Sequence, residues 1–230
     1  MTVAHSLLSC GNVFHWFKRR EIVLITALLG GFVFLCTTRS SGGEFNAVVS
    51  IGDTAPTWKD LVGVDDKLHS LADVADKAFV LVIFTCNSCP YAVDYESRFV
   101  DLETRLGGAA GELAIIAINV NLIEEDRFAA MKQRAKERKF QFSYLFDESQ
   151  AIAKAYGAAR TPECFLLDGD RKIAYMGSYD DDSRGLIVTH RYVEEAIKSL
   201  QNGAPVRVQE TPPVGCAVRY SRSREGRKTS

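Results

Sequence analysis

Ala78-Phe79-Val80-Leu81-Val82-Ile83-Phe84-Thr85-Cys86-Asn87-Ser88-Cys89-Pro90-Tyr91 is the stretch that decides the fold. Its first seven residues carry no charge, and β-branched and aromatic types dominate, as in a central strand buried on both faces. Two cysteines follow at C-x-x-C spacing. Pro90 then sits in the first turn of a helix, where its missing N–H costs nothing. A strand that ends in C-x-x-C and turns into a helix is a thiol–disulfide device. The unpaired N–H groups and dipole of a helix N-terminus favour a thiolate, and two intervening residues bring the second sulfur within disulfide reach of the first. On this reading Cys86 is the exposed attacking thiol with a lowered pKa, and Cys89, one turn deeper, is the shielded thiol that resolves the mixed disulfide.

Outward from this stretch the chain alternates between strand and helix patterns. Trp58–Val62 and Lys67–Leu71, joined by Gly63–Asp66, read as a short hairpin. The helix that opens at Pro90 runs to about Leu106 and stops at Gly107-Gly108. Leu113–Val120 is a second buried strand, Glu124–Lys139 an amphipathic helix, Phe142–Phe146 an extended segment and Ser149–Tyr156 a short helix ended by Gly157. Cys164–Leu167 and Lys172–Met176 form a hairpin across Asp168–Arg171, and His190–Leu200 is the last helix. The order predicts an α/β protein, with a central mixed sheet and helices on both faces. From Ala204 the prolines at 205, 212 and 213 give an extended wrap in place of a helix.

Composition is that of one globular domain with extensions: 230 residues, 47% hydrophobic and 25% charged. The net charge of −1 hides an uneven distribution. Residues 1–39 and 219–230 are both basic, so the body between them is acidic, which argues against a nucleic-acid partner. The basic end, Arg219 to Lys228, reads as a solvated tail. Residues 22–38 are uncharged and mostly apolar, behind Lys18-Arg19-Arg20. They fit a signal peptide or a signal anchor, and the anchor is favoured because no A-x-A cleavage site follows. The positive flank keeps the N-terminus in the cytoplasm and puts everything after residue 39 outside. The expected organisation is 1–39 as cytoplasmic n-region and anchor or signal, 40–50 as linker, 51–203 as the folded domain and 204–230 as the extended tail.

Five pieces carry a resemblance: Gly52-Asp53-Thr54-Ala55-Pro56, Thr85–Tyr91, Tyr144-Leu145-Phe146-Asp147, Thr161-Pro162-Glu163 and Pro213-Val214-Gly215-Cys216. In order and spacing the chain resembles the thioredoxin-like superfamily. More narrowly, it resembles peroxiredoxin-like proteins of the alkyl hydroperoxide reductase/thiol-specific antioxidant group. The resemblance implies a thioredoxin-like fold in which Pro162 is the cis-proline beside the cysteines. It implies that Cys86, Cys89 and Pro162 form the catalytic site, that the Thr161 backbone pairs with an extended substrate chain, and that Tyr91 lies in the binding surface. Peroxiredoxins carry P-x-x-x-T/S-x-x-C. Here the positions before Cys89 are Cys86 and Val82, and those before Cys86 are Ile83 and Phe79. The buried acid of thioredoxins, six positions before the first cysteine, is replaced by Val80, which leaves Glu163 or water as the proton relay to Cys89.

The leading function is therefore an extracytoplasmic thiol–disulfide oxidoreductase that acts on protein or small-molecule disulfides and is tethered through residues 22–38. A thiol-dependent peroxidase is the second reading and a copper-binding module the third, although copper-delivery relatives use C-x-x-x-C. No cofactor is expected and no metal, since no second ligand pair follows at zinc spacing. Cys164, on a buried strand, reads as a small hydrophobe. Cys216, in the Pro/Gly-rich tail, is either a third redox thiol or a docking residue. Asp180-Asp181-Asp182 reads as a solvated acidic loop, and His69 and His190 as surface or cap residues. A reporter fused after Asn46 should be active only outside the cytoplasm; cytoplasmic activity from soluble full-length protein would overturn the export reading.

Overall fold

The computed structural model describes residues 42–221. The apolar segment 22–38, Cys10, Cys36 and the basic end from residue 222 lie outside the described residues. Among the described residues no helix is long and apolar enough to cross a membrane.

The sheet forms around β3 (Phe79–Thr85), the apolar run that leads to the cysteines. It pairs in parallel with β4 (Leu113–Asn119) and antiparallel with β7 (Glu163–Leu167). β4 pairs in parallel with β5 (Ser143–Phe146), and β7 with β8 (Ile173–Gly177) across the expected hairpin. The N-terminal hairpin, β1 (Leu61–Gly63) and β2 (Leu68–His69), adds to the far edge through β5, which gives the order β2-β1-β5-β4-β3-β7-β8. Both faces of this mixed sheet are covered, so its central strands are apolar except at one end, where Thr85, Asn119 and Glu163 stand. Leu81 and Ile83 of β3 face one core, beneath α1 (Pro90–Leu106), α2 (Phe128–Arg138) and α4 (Tyr192–Gln201). Val80, Val82 and Phe84 face the other, with α3 (Ala151–Tyr156) and the N-terminal segment. This is the thioredoxin-like arrangement.

α1 buries Tyr95, Phe99 and Leu102, at spacings of four and three, and ends at Gly107 as expected. α3 ends at Gly157, whose φ of 67° is the left-handed conformation that favours glycine. The expected helix over 124–139 is divided. Glu124–Asp126 is a 3-10 turn, Arg127 is extended (φ −69°, ψ 159°), and only then does α2 begin.

Two extensions are more ordered than expected. The described part of the linker, residues 42–50, packs on the domain. The buried Asn46 side chain donates to the Tyr156 carbonyl at 2.8 Å and accepts from the Val48 and Val49 amides. The tail from Ala204 is indeed extended, but it is strapped down. Met176 donates to the Gln209 carbonyl and Thr211 to that of Met176. Ser178 bonds to Thr211 and Pro212. Further on, Cys216–Ala217 form a strand, β9, antiparallel to β6 (Arg160–Thr161). The acidic triplet is also not wholly solvated. Asp180 is buried, ion-paired with Arg98 and bonded by the Tyr95 hydroxyl. Of the two histidines, His69 pairs with Asp65 at 2.9 Å, and the exposed His190 stacks on Tyr192.

Phe84, Tyr156 and Phe165 form a buried aromatic triad with centroids 5.1–5.7 Å apart. Within it the Tyr156 hydroxyl has no hydrogen-bond partner. In denaturant unfolding, Phe84→Ala should cost about 3–5 kcal/mol. Tyr156→Phe should be neutral or stabilising, because it removes a buried group that lacks a partner.

Candidate redox site

Helix α1 starts at Pro90, so the residue at its N-cap is Cys89, with extended backbone (φ −88°, ψ 119°). Cys86 lies three residues earlier, in the loop that leaves β3. This reverses part of the expectation. Cys86 is not exposed; it and Cys89 are 2% and 1% accessible. The sulfur at the helix terminus is that of Cys89, because a proline at the first helical position fixes the cap one residue before it.

Electrostatics follow the placement. The Cys89 thiol is held well below the usual cysteine range, first by the hydrogen bond from the Cys86 thiol and then, against the cost of burial, by contacts from the Cys216 thiol and the Ala92 and Cys216 amides. Cys86 is pushed up by that same bond to Cys89, by burial and by the nearby Asp126 charge. The reduced site thus carries its thiolate on Cys89 and its shared proton on Cys86, contrary to the expected lowering of Cys86.

The loop between the cysteines is fixed by a residue that the sequence reading passed over. Asp126, fully buried, accepts from the amides of Asn87 (2.7 Å) and Ser88 (2.9 Å), from the Ser88 hydroxyl (2.6 Å) and from the Asn121 side chain (3.2 Å). Asn87 is held from its other side by the Tyr144 hydroxyl and by the Glu125 carbonyl. The sequence pattern places Asp126 in the amphipathic helix expected over 124–139; its signal is the polar cluster Asn119, Asn121 and Asp126 at the end of a buried strand.

The Thr161–Pro162 bond is cis, as expected, and the turn lies against both sulfurs. In its neutral form the Cys89 thiol donates to the Thr161 carbonyl at 3.0 Å, a bond given up on ionisation, and the Thr161 hydroxyl lies 3.3 Å from the Cys86 sulfur. The backbone edge expected to receive a substrate chain is occupied by the protein's own tail, with Cys216 directly opposite Thr161. Gly215 makes that approach possible, since a Cβ there would lie 2.0 Å from the Thr161 oxygen. Cys86, Cys89 and Ala92 form a small buried cluster against which Cys216 packs, and all three thiols are free. Cys164 is elsewhere, in the core of β7 opposite Ile83. Glu163 is not at the sulfurs; its carboxylate accepts from the Ala159 and Arg160 amides, and burial raises its pKa to about 6. Tyr91, 41% exposed, lines an open cleft of about 570 Å3 with Pro90, Asp94, residues 181–184 and Val214. Among the described residues no cluster of His, Cys, Asp or Glu is arranged to hold a metal.

The redoxin family model matches residues 50–197. Two solved structures of similar sequence are an uncharacterised conserved protein from Geobacillus kaustophilus (34% identity, 75% of this chain and 93% of that one, TM-score 0.69) and a hypothetical protein from Sinorhizobium meliloti 1021 (31%, 75% and 96%, TM-score 0.70). A thiol:disulfide interchange protein of the thioredoxin family from Chlorobium tepidum shares the fold at 17% identity, over 65% of this chain and 96% of that one, with TM-score 0.52. None of the curated proteins compared with the chain matches it. With well over half its length matched, the chain belongs to the redoxin family, thioredoxin-like and peroxiredoxin-like oxidoreductases that work through thiols.

Proposed function

We propose that the protein is an extracytoplasmic thiol–disulfide oxidoreductase that exchanges disulfides of proteins or small molecules through Cys86 and Cys89. The observation that carries this reading is the contact between two free thiols at the head of α1 and against the Thr161–Pro162 turn; Cys89, at the N-cap position, is the one whose pKa is lowered. A thiolate is the species that attacks a disulfide, and a low-pKa thiol is also the better leaving group. Cys86 is the partner that closes the internal disulfide and gives up its proton as it does so. The Thr161–Pro162 turn holds both sulfurs in place, and Asp126 fixes the loop between them. The outside location rests on the basic flank and the apolar segment 22–38. The cleft beside Tyr91, with the exposed Val214 on its rim, offers a surface for the substrate's flanking residues.

Peroxide reduction is the weaker reading. The peroxidatic Thr and Pro are absent, and the Arg160 guanidinium, near the position of the peroxiredoxin arginine, bonds to the Gly215 carbonyl at 3.3 Å.

In an insulin-reduction assay driven by dithiothreitol, Cys89→Ser should lose activity by about a hundredfold or more, because it removes the thiolate, and Cys86→Ser should be slowed by about tenfold or more. Wild-type rates from Cys89→Ser would overturn the reading. Hydrogen peroxide should oxidise Cys89 slowly; rapid, stoichiometric loss of its thiol at low peroxide would promote the peroxidase reading above this one.

A further inference from the structure

Cys86 and Cys89 are almost completely buried, so a substrate disulfide cannot reach either sulfur past the tail that covers them. Cys216 is different. It packs against the same cluster yet remains partly exposed, on a strand whose other residue, Ala217, is open to solvent. Three sulfurs meet around one residue: Thr161 contacts Cys89 through its carbonyl and Cys86 through its hydroxyl, and it pairs across the ladder with Cys216. The strap is fixed on both sides of Cys216. Upstream, Gly215 allows the tail to lie against the Thr161 backbone. Downstream, Val218 donates to the Ala159 carbonyl, Arg219 to the Asn121 side chain, and the Tyr220 hydroxyl to the Ala158 carbonyl at 2.6 Å.

We infer that Cys216 is a shuttle thiol: it exchanges with Cys89, so that a disulfide moves between the buried Cys86–Cys89 pair and a Cys89–Cys216 pair at the surface. This rests on the exchange function proposed above and assigns its point of entry.

Reduction of a substrate disulfide then takes three exchanges. Cys216, as thiolate, attacks one substrate sulfur; the substrate S–S bond breaks and a substrate thiolate leaves. The Cys89 thiolate attacks the Cys216 sulfur, which releases the second substrate thiolate and forms Cys89–Cys216. Cys86 loses its proton and attacks the Cys89 sulfur, forming Cys86–Cys89 and returning Cys216 as a thiol. The substrate gains two electrons and becomes two thiols, Cys86 and Cys89 lose those electrons, and of the two protons one comes from Cys86 and the other from solvent. Oxidation of a substrate dithiol is the same sequence in reverse.

The charge distribution favours the oxidising direction, in which Cys216 attacks the Cys86–Cys89 disulfide; in the reducing direction Cys216 must first give its proton to solvent. With Cys89 as thiolate, its hydrogen bond and its charge hold the Cys216 thiol protonated, while the Arg219 and Arg160 guanidiniums act in the opposite sense. Once Cys89 enters a disulfide with Cys86 that restraint is gone, the two guanidiniums remain, and Cys216 gains nucleophilicity at the moment when Cys89 becomes an electrophile.

The test uses the full chain. Cys86→Ser, treated with oxidised glutathione and mapped by peptide mass after alkylation, should show a Cys89–Cys216 cross-link; free, alkylatable Cys89 and Cys216 under conditions that oxidise wild-type Cys86–Cys89 would overturn the shuttle. Cys216→Ser, with Cys216→Ala beside it to separate loss of the thiol from a folding defect, should form Cys86–Cys89 with glutathione and reduce insulin each about tenfold or more slowly than wild type, because the entry thiol is missing. Insulin reduction at the wild-type rate by both Cys216 variants would overturn the shuttle and leave the exchange function standing. A wild-type chain that forms no Cys86–Cys89 disulfide and reduces no insulin would instead overturn the exchange function itself.

Discussion

One buried carboxylate governs the geometry of the sulfurs. Asp126 gives up all of its contact with water and is compensated by four donors, three of them from the two residues between the cysteines. A buried acid is tolerated only when it is paired or well hydrogen-bonded, and removal of its donors would leave the full desolvation cost. The two backbone amides of Asn87 and Ser88 that would otherwise be unpaired at the head of α1 are the ones it satisfies. The loop therefore holds one conformation, the Cys89 sulfur stays at the helix terminus, and Cys86 stays within reach of Cys89 and Thr161. The same charge adds to the bond from Cys89 and to burial in disfavouring a thiolate on Cys86, so the side chain that builds the loop also bears on its ionisation.

Much of this was legible in the sequence because it is local. The run Phe79–Phe84, the stop at Gly107 and the β7–β8 hairpin each follow from a few adjacent residues, whereas the position of Pro162 beside the cysteines followed from the family resemblance. The assignment of the helix cap was legible too, and the expectation missed it: a proline at the first helical position marks the residue before it as the cap, which makes Cys89 the sulfur that meets the dipole. What could not be read was non-local. β6 and β9 are two residues each, too short to show any period, and they pair across the length of the C-terminal half. Asp126 carries no local sign of where its donors come from, and an acidic residue at the start of an amphipathic pattern reads as an ordinary first-turn residue.

The tail changes what kind of site this is. Without it, the helix N-terminus and the cis-proline turn would present both sulfurs and a free backbone edge to solvent. With it, the edge is paired, Cys216 stands where an incoming strand would place a residue, and the two other thiols are enclosed. The segment ahead of the domain is built on the same plan, since Asn46 is anchored on the α3 carbonyl end just as Tyr220 is anchored on Ala158 nearby. Both extensions converge on the turn that leads into β6, so the rigidity of the Thr161 region owes as much to chain outside the sheet as to the sheet itself.

The strap also sets an order on the life of the chain. The cysteine pair is synthesised more than a hundred residues before Cys216. At a synthesis rate of ~5–20 residues per second, the pair exists for on the order of ten seconds before its cover has been made. During that interval Cys86 and Cys89 are thiols in a nascent chain with no lid, open to whatever oxidant or metal the surroundings offer. Only when residues 218–220 of the strap dock against Ala158, Ala159 and Asn121 is the site closed, so a late-made part of the polypeptide determines what can reach a pair made well before it.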